Sequence, residues 1–303
     1  MNARAVPFGD DLAARVERRR SQLVLGLDPS PAGLWESDGD PVQALRLHCA
    51  ALIEAAGPAC VAVKPQLACF ELFGAGGRTV LGDVVQLAHD RDLLVIADGK
   101  RGDIDVTADA YARSLFGGAD TPTGRLPGLG VDAATVNPLL GKDAIAPFIA
   151  NARAAGAAVL LLVRTSNPGA ADIQDLELAE GGTVWERLAR IAAGAGADGT
   201  GASGLADVGA VVGATAPAAL ERARELMPAA PFLLPGVGAQ GGRVEDVAAA
   251  FKPGRAGGLV SASRSIADAH RSAGGEPATA ARDAAEALRE RAWELASAVL
   301  GES

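Results

Sequence analysis

The stretch LLVIADGKRGDIDVT, residues 93–107, decides how the chain is read. It opens on five apolar residues in a row, the pattern of a strand covered on both faces. Asp98 follows and Lys100 lies two residues on, a spacing that sends both side chains to one face of an extended backbone. Gly99 and Gly102 let the chain turn sharply toward a helix, and Asp103 comes within that turn. In isolation the segment would fit a surface ion pair with Asp103 or Asp105 capping the next helix. The rest of the chain argues against that reading.

Seven further runs share the form: LVLGLD (23–28), CVAVKP (60–65), AATVN (133–137), AVLLLVRTS (158–166), VGAVVGAT (208–215), FLLPGVG (232–238) and GLVSASR (258–264). Between them lie helical patterns, clearest at 41–57, 69–90, 183–196, 217–227 and 277–299, with apolar residues at spacings of three and four. Eight strand–helix alternations with doubly covered strands specify an α/β protein, a (β/α)8 TIM barrel rather than an open sheet. A chain of 303 residues fits one such domain over 1–303, with the glycine-rich segments 117–130 and 194–206 read as insertions.

Composition narrows the function. There are 28 basic and 37 acidic residues, a net charge of -9, and no basic stripe, which speaks against nucleic acid as a partner. No apolar run approaches the roughly 18 residues needed to cross a bilayer, so no membrane partner is expected. Cys49, Cys60 and Cys69 lack metal-ligand spacing and His48, His89 and His270 are scattered. The expectation is a reduced, cytoplasmic protein without a metal site. Trp35, Trp185 and Trp293 read as packing residues.

Only four of the basic residues are lysines, Lys64, Lys100, Lys142 and Lys252. An ammonium can act as an acid near neutral pH where a guanidinium cannot, so lysine is a chemical choice in an arginine-rich chain. Active sites of this fold sit at the C-terminal ends of the strands. Those ends carry Asp28, Lys64, Asp98 with Lys100, Asn137, Ser166 and Arg264. The loop LLPGVGAQGG (233–242) offers the backbone of Gly236, Gly238 and Gly241, and the Gln240 side chain, as a phosphate cradle beside Arg264.

Taken together, GLDPSP (26–31), VKPQ (63–66), DGKRGDIDVT (98–107), VNPLLGKD (136–143), RTSNPG (164–169), PGVGAQGG (235–242) and SRSI (263–266) resemble the orotidine 5'-phosphate decarboxylase family, in its longer bacterial type. The segments 117–130 and RTSNPG differ from the family's shorter members. The resemblance implies that orotidine 5'-monophosphate (OMP) is converted to uridine 5'-monophosphate (UMP) and CO2 without metal or cofactor. It implies an alternating network of Lys64, Asp98, Lys100 and Asp103, with Asp103 supplied by the neighbouring subunit of a homodimer. By the same resemblance Lys100 delivers the proton to C6. Asp28 and the neighbour's Thr107 meet the ribose, Ser166 meets the pyrimidine edge, and Gln240 with Arg264 holds the phosphate. Asn137 receives no role.

Two alternatives stand beside this expectation. A magnesium-dependent sugar-phosphate decarboxylase or synthase shares the D-x-K-x-x-D core but needs another carboxylate near Lys64, and the first acidic residue after VKPQ is Glu71. A non-catalytic nucleotide-binding barrel would need the phosphate loop and Arg264 but not the full set of two lysines and two aspartates.

Overall fold

The computed structural model describes residues 6–35, 39–214, 217–237 and 241–301. Eight parallel strands form a closed barrel: β1 Leu23–Leu27, β2 Ala62–Pro65, β3 Leu94–Arg101, β4 Ala133–Val136, β5 Ala158–Arg164, β6 Val208–Val212, β7 Phe232–Leu234 and β8 Gly258–Ala262. Each strand pairs with its neighbours in sequence, and β8 closes on β1 through Leu23 opposite Val260. The expected (β/α)8 barrel is therefore the observed fold.

The helices are α1 Phe8–Arg19, α2 Pro41–Ala56, α3 Leu67–Glu71, α4 Gly74–Asp90, α5 Asp105–Leu115, α6 Lys142–Ala155, α7 Ala170–Ile173, α8 Val184–Gly196, α9 Pro217–Leu226, α10 Arg264–Ala267, α11 Ala269–Ala273 and α12 Pro277–Leu300. Where the sequence pattern predicts one helix over 69–90, two are found. The chain breaks at Leu72 and Phe73 and restarts at Gly74, whose φ of 64° is a left-handed conformation that costs glycine little. After β7 the chain forms a long 3-10 segment, Val244–Phe251, in place of an α-helix.

Two buried clusters divide the core. The larger lies between strands and helices, where Leu25, Leu45, Leu52 and Phe70 pack together with Val63 and Val95. The smaller fills the barrel interior with Val24, Ala62, Leu94, Ile96, Leu160, Leu233 and Leu259. Phe8, Leu12 and Val16 join this inner cluster; their spacing of four places them on one face of α1. Helix α1 thus plugs the N-terminal end of the barrel, and Arg19 reinforces it by donating to the carbonyls of Gly57 and Cys60 just ahead of β2. The C-terminal end is left for the site.

The two glycine-rich segments have different fates. Residues 117–130 carry an exposed antiparallel hairpin, Ala119–Thr121 with Gly124–Leu126, outside the barrel. Residues 194–206 are tied to α1, where the Asp10 carboxylate accepts from the backbone N–H groups of Ala202 and Ser203. That segment lies at the closed end, away from the strands' C-terminal rim. No helix among the described residues is long and apolar enough to cross a membrane.

Candidate active site

The C-terminal ends of β2 and β3 bring two ammonium groups together around one carboxylate. Asp98 is 6% exposed. Its Oδ2 accepts from Lys64 Nζ at 2.8 Å and from Gln66 Nε2 at 3.1 Å; its Oδ1 accepts from Lys100 Nζ at 2.7 Å and from Thr135 Oγ1 at 2.9 Å. Lys64 Nζ also lies 3.7 Å from Asp28 Oδ1. Burial by itself would raise the Asp98 carboxyl pKa, but the two ammonium groups and their hydrogen bonds outweigh it and hold the group down at about 2. Burial would likewise strip the proton from Lys64, yet Asp98 and Asp28 reverse the sign and hold its pKa above the ordinary lysine value. Asp98 and Lys64 are therefore both charged at neutral pH.

Lys100 reaches Asp98 by a route the residue spacing does not foretell. Its backbone is not extended: φ is 47°, a left-handed conformation rare for a residue with a Cβ. The pairing of β3 with β4 shifts register between Ala97 and Arg101, and Lys100 N donates to Thr135 Oγ1 at 2.9 Å. A bulge, then, aims the ammonium, and Thr135 anchors both the backbone of Lys100 and the carboxylate of Asp98. Thr135 was legible as a polar residue at an alternate position of the run AATVN, and Gln66 as the residue ending VKPQ. Asn137, by contrast, turns back to accept from Leu139 N and closes a 3-10 turn.

These groups wall one end of a cavity of about 490 Å³. Leu162, Val211 and Leu233 supply apolar surface, and Thr165, Ser166, Asn167, Gly236, Ser263 and Arg264 line the remainder. Both the size and the mixture of apolar wall with a few polar groups suit a mononucleotide. The close approach of β6 to Ser166 requires Gly213, because a Cβ there would fall 2.8 Å from the Ser166 Cα.

Asp103 and Thr107 do not line this cavity. Asp103 Oδ1 accepts from the adjacent Ile104 N–H, and α5 starts at Asp105 with no side-chain cap, so neither Asp103 nor Asp105 serves the capping role open to it. Gly241 borders a neighbouring cavity with Gly242, Arg243 and Arg291 instead of the main one. Gly238 and Gln240 lie outside the described residues. Of the cysteines, Cys49 and Cys60 are buried, and burial pushes each thiol up to about 12. Among the described residues no three His, Cys, Asp or Glu side chains gather as a metal-holding group.

A closed barrel with a lysine–aspartate array at its C-terminal rim, opening on a nucleotide-sized cavity, defines a (β/α)8 enzyme working on a small anionic substrate. The chain belongs to the orotidine 5'-phosphate decarboxylase / HUMPS family, whose model matches residues 21–284. It is 44% identical over 284 residues to the orotidine 5'-phosphate decarboxylase of Deinococcus radiodurans, covering 93% of this chain and 96% of that one. To the protein of the same name from Rhodopirellula baltica it is 39% identical over 273 residues, 87% and 89% of the two chains. Among solved structures, the OMP decarboxylase of Leishmania donovani superposes with a TM-score of 0.74 at 32% identity, covering 96% of this chain and 99% of that one.

Proposed function

We propose that this chain decarboxylates OMP to UMP in pyrimidine nucleotide biosynthesis, in the cytoplasm, and that Lys100 is the acid that protonates C6. The observation that carries the reading is the Asp98 carboxylate gripping the Lys64 and Lys100 ammonium groups on the cavity wall. In the reaction the bond from C6 to the carboxylate breaks, CO2 leaves, and the electron pair stays on C6. Little delocalisation is open to that carbanion, so stabilising charge must be in place beforehand. The Lys100 ammonium supplies it and then transfers a proton to C6. Asp98 holds the ammonium in position, and Lys64 balances the carboxylates while facing Asp28 at the ribose end. Ser166 meets the pyrimidine edge. Arg264 takes the phosphate with the backbone of Gly236 and, from the loop that follows, Gly238, Gln240 and Gly241.

Asp103 and Thr107 belong, in this reading, to the neighbouring subunit's site. Supporting that assignment is the apolar surface around them: Ile104, Val106, Leu139 and Leu140 are all more than half exposed. Such a patch on the same rim is suited to burial against a second copy.

The magnesium-using branch is disfavoured by the donor set, since the carboxylates lining the cavity, Asp28 and Asp98, both face Lys64. The deciding experiment incubates purified protein with OMP, with and without EDTA, and follows the loss of substrate absorbance. Turnover that withstands chelation is expected. Dependence on added magnesium, or no turnover of OMP at all, would defeat the proposal.

A further inference from the structure

The segment after β5 holds a directional chain of hydrogen bonds that none of the roles above uses. Gln174 Oε1 accepts from the backbone N–H of Thr165 at 2.9 Å. A backbone N–H can only donate, so the orientation of the Gln174 amide is set and its Nε2 must be the donor in the second contact, to Thr165 Oγ1 at 2.9 Å. The Thr165 hydroxyl, already accepting, spends its single proton on Asn167 Oδ1 at 2.7 Å. Asn167, whose Oδ1 takes that proton, lines the main cavity, and its Nδ2, which makes no hydrogen bond among the described residues, is the group left to donate. The segment is pinned from the other side as well. Arg164 forks onto both oxygens of Asp175 at 2.8 and 2.9 Å, and its Nη1 donates to the Thr165 carbonyl.

Resting on the proposed function, we infer that Asn167 reads the pyrimidine edge by donating to a ring carbonyl, and that Gln174 is the positioning residue that sets the polarity of that donor through Thr165. The consequence is selection for an oxo-pyrimidine over a 4-amino-pyrimidine, because an amino group would face a donor with a donor. Arg164 and Asp175 hold the frame in which the relay works.

The test compares binding of UMP and cytidine 5'-monophosphate by calorimetry in wild type, Gln174→Glu and Asn167→Asp. Glutamate keeps the shape of Gln174 and still accepts from Thr165 N, but its second oxygen takes the Thr165 hydroxyl proton, so Asn167 is released to turn its oxygen outward. Both variants are expected to shift the UMP to CMP affinity ratio toward CMP by about tenfold, the size of one hydrogen-bond mismatch. For Gln174→Glu, KM for OMP should rise more than kcat falls, since Lys100 is untouched. Asn167→Asp decides the matter if Gln174→Glu lowers the melting temperature. Wild-type turnover of OMP with an unshifted ratio in Asn167→Asp would overturn this inference alone. A wild type that neither binds UMP nor consumes OMP would overturn it together with the function on which it rests.

Discussion

Asp98 is the residue on which the site turns, because one carboxylate satisfies two ammonium groups, one amide and one hydroxyl. Its pKa is lowered from 3.8 to about 2, so the stability it contributes is fully present above 3.8 and is lost as pH falls through about 2. That shift corresponds to on the order of 2 kcal/mol. Asp98→Asn should lose this increment and flatten the dependence of unfolding free energy on pH across that interval, as urea titrations at stepped pH will register. Lys100→Ala should behave differently. Lys100 is about half exposed and its removal leaves Lys64 paired with Asp98, so the fold should persist while kcat drops by at least ~10³-fold, the combined size of losing the proton donor and its charge. Stopped-flow turnover of OMP measures that loss directly, and near-normal turnover would remove Lys100 from its role.

Among the elements, β7 and β8, the strands that lead to Gly236 and Arg264, are tied together by a single guanidinium. Arg224, on α9 and 5% exposed, donates to the carbonyls of Met227, Pro228, Ala230, Ala250 and Gly257, and lies 3.7 Å over the Phe232 ring. It thereby joins the approach to β7, the 3-10 segment and the entry to β8. Burial with no carboxylate beside it pushes the guanidinium down to about 9, which still leaves it charged at neutral pH. Arg224→Leu strands several buried carbonyls and should cost about 3 kcal/mol by urea unfolding at constant slope. This residue was half legible in the sequence. Leu220, Ala223, Arg224 and Met227 share one helical face, so an arginine stands where an apolar residue belongs. Its carbonyl partners come from segments up to 33 residues away, and no local pattern marks them.

On the scale of the whole molecule, the barrel delivers Lys64, Asp98 and Lys100 to one rim but leaves Asp103 and Thr107 on its outer shoulder. If two copies complete each other's sites, then mixing Lys100→Ala with Asp103→Ala subunits should regenerate one intact site in every mixed dimer. Random reassociation would restore about a quarter of wild-type activity from two nearly inactive proteins. Activity that stays at the level of the separate variants after unfolding and refolding together would mean that sites are not shared. If that exposed patch is the seam between the copies, Val106→Asp, which puts a charge into it, should give a monomer by sedimentation.

What the sequence by itself determined is the repeating architecture and the identity of the rim residues. Doubly apolar strand runs and strand-end polar residues are local patterns, and parallel barrel closure forces those ends onto one face. Only the tertiary structure decided how Lys100 meets Asp98, because the left-handed turn and the bulge against β4 arise from pairing between distant strands, through Thr135. The same holds for the split of the expected helix at 69–90 and for the relay from Gln174 to Asn167. Each depends on which atoms neighbour one another in space, and spacing along the chain carries that information only for residues within a turn or a strand of each other.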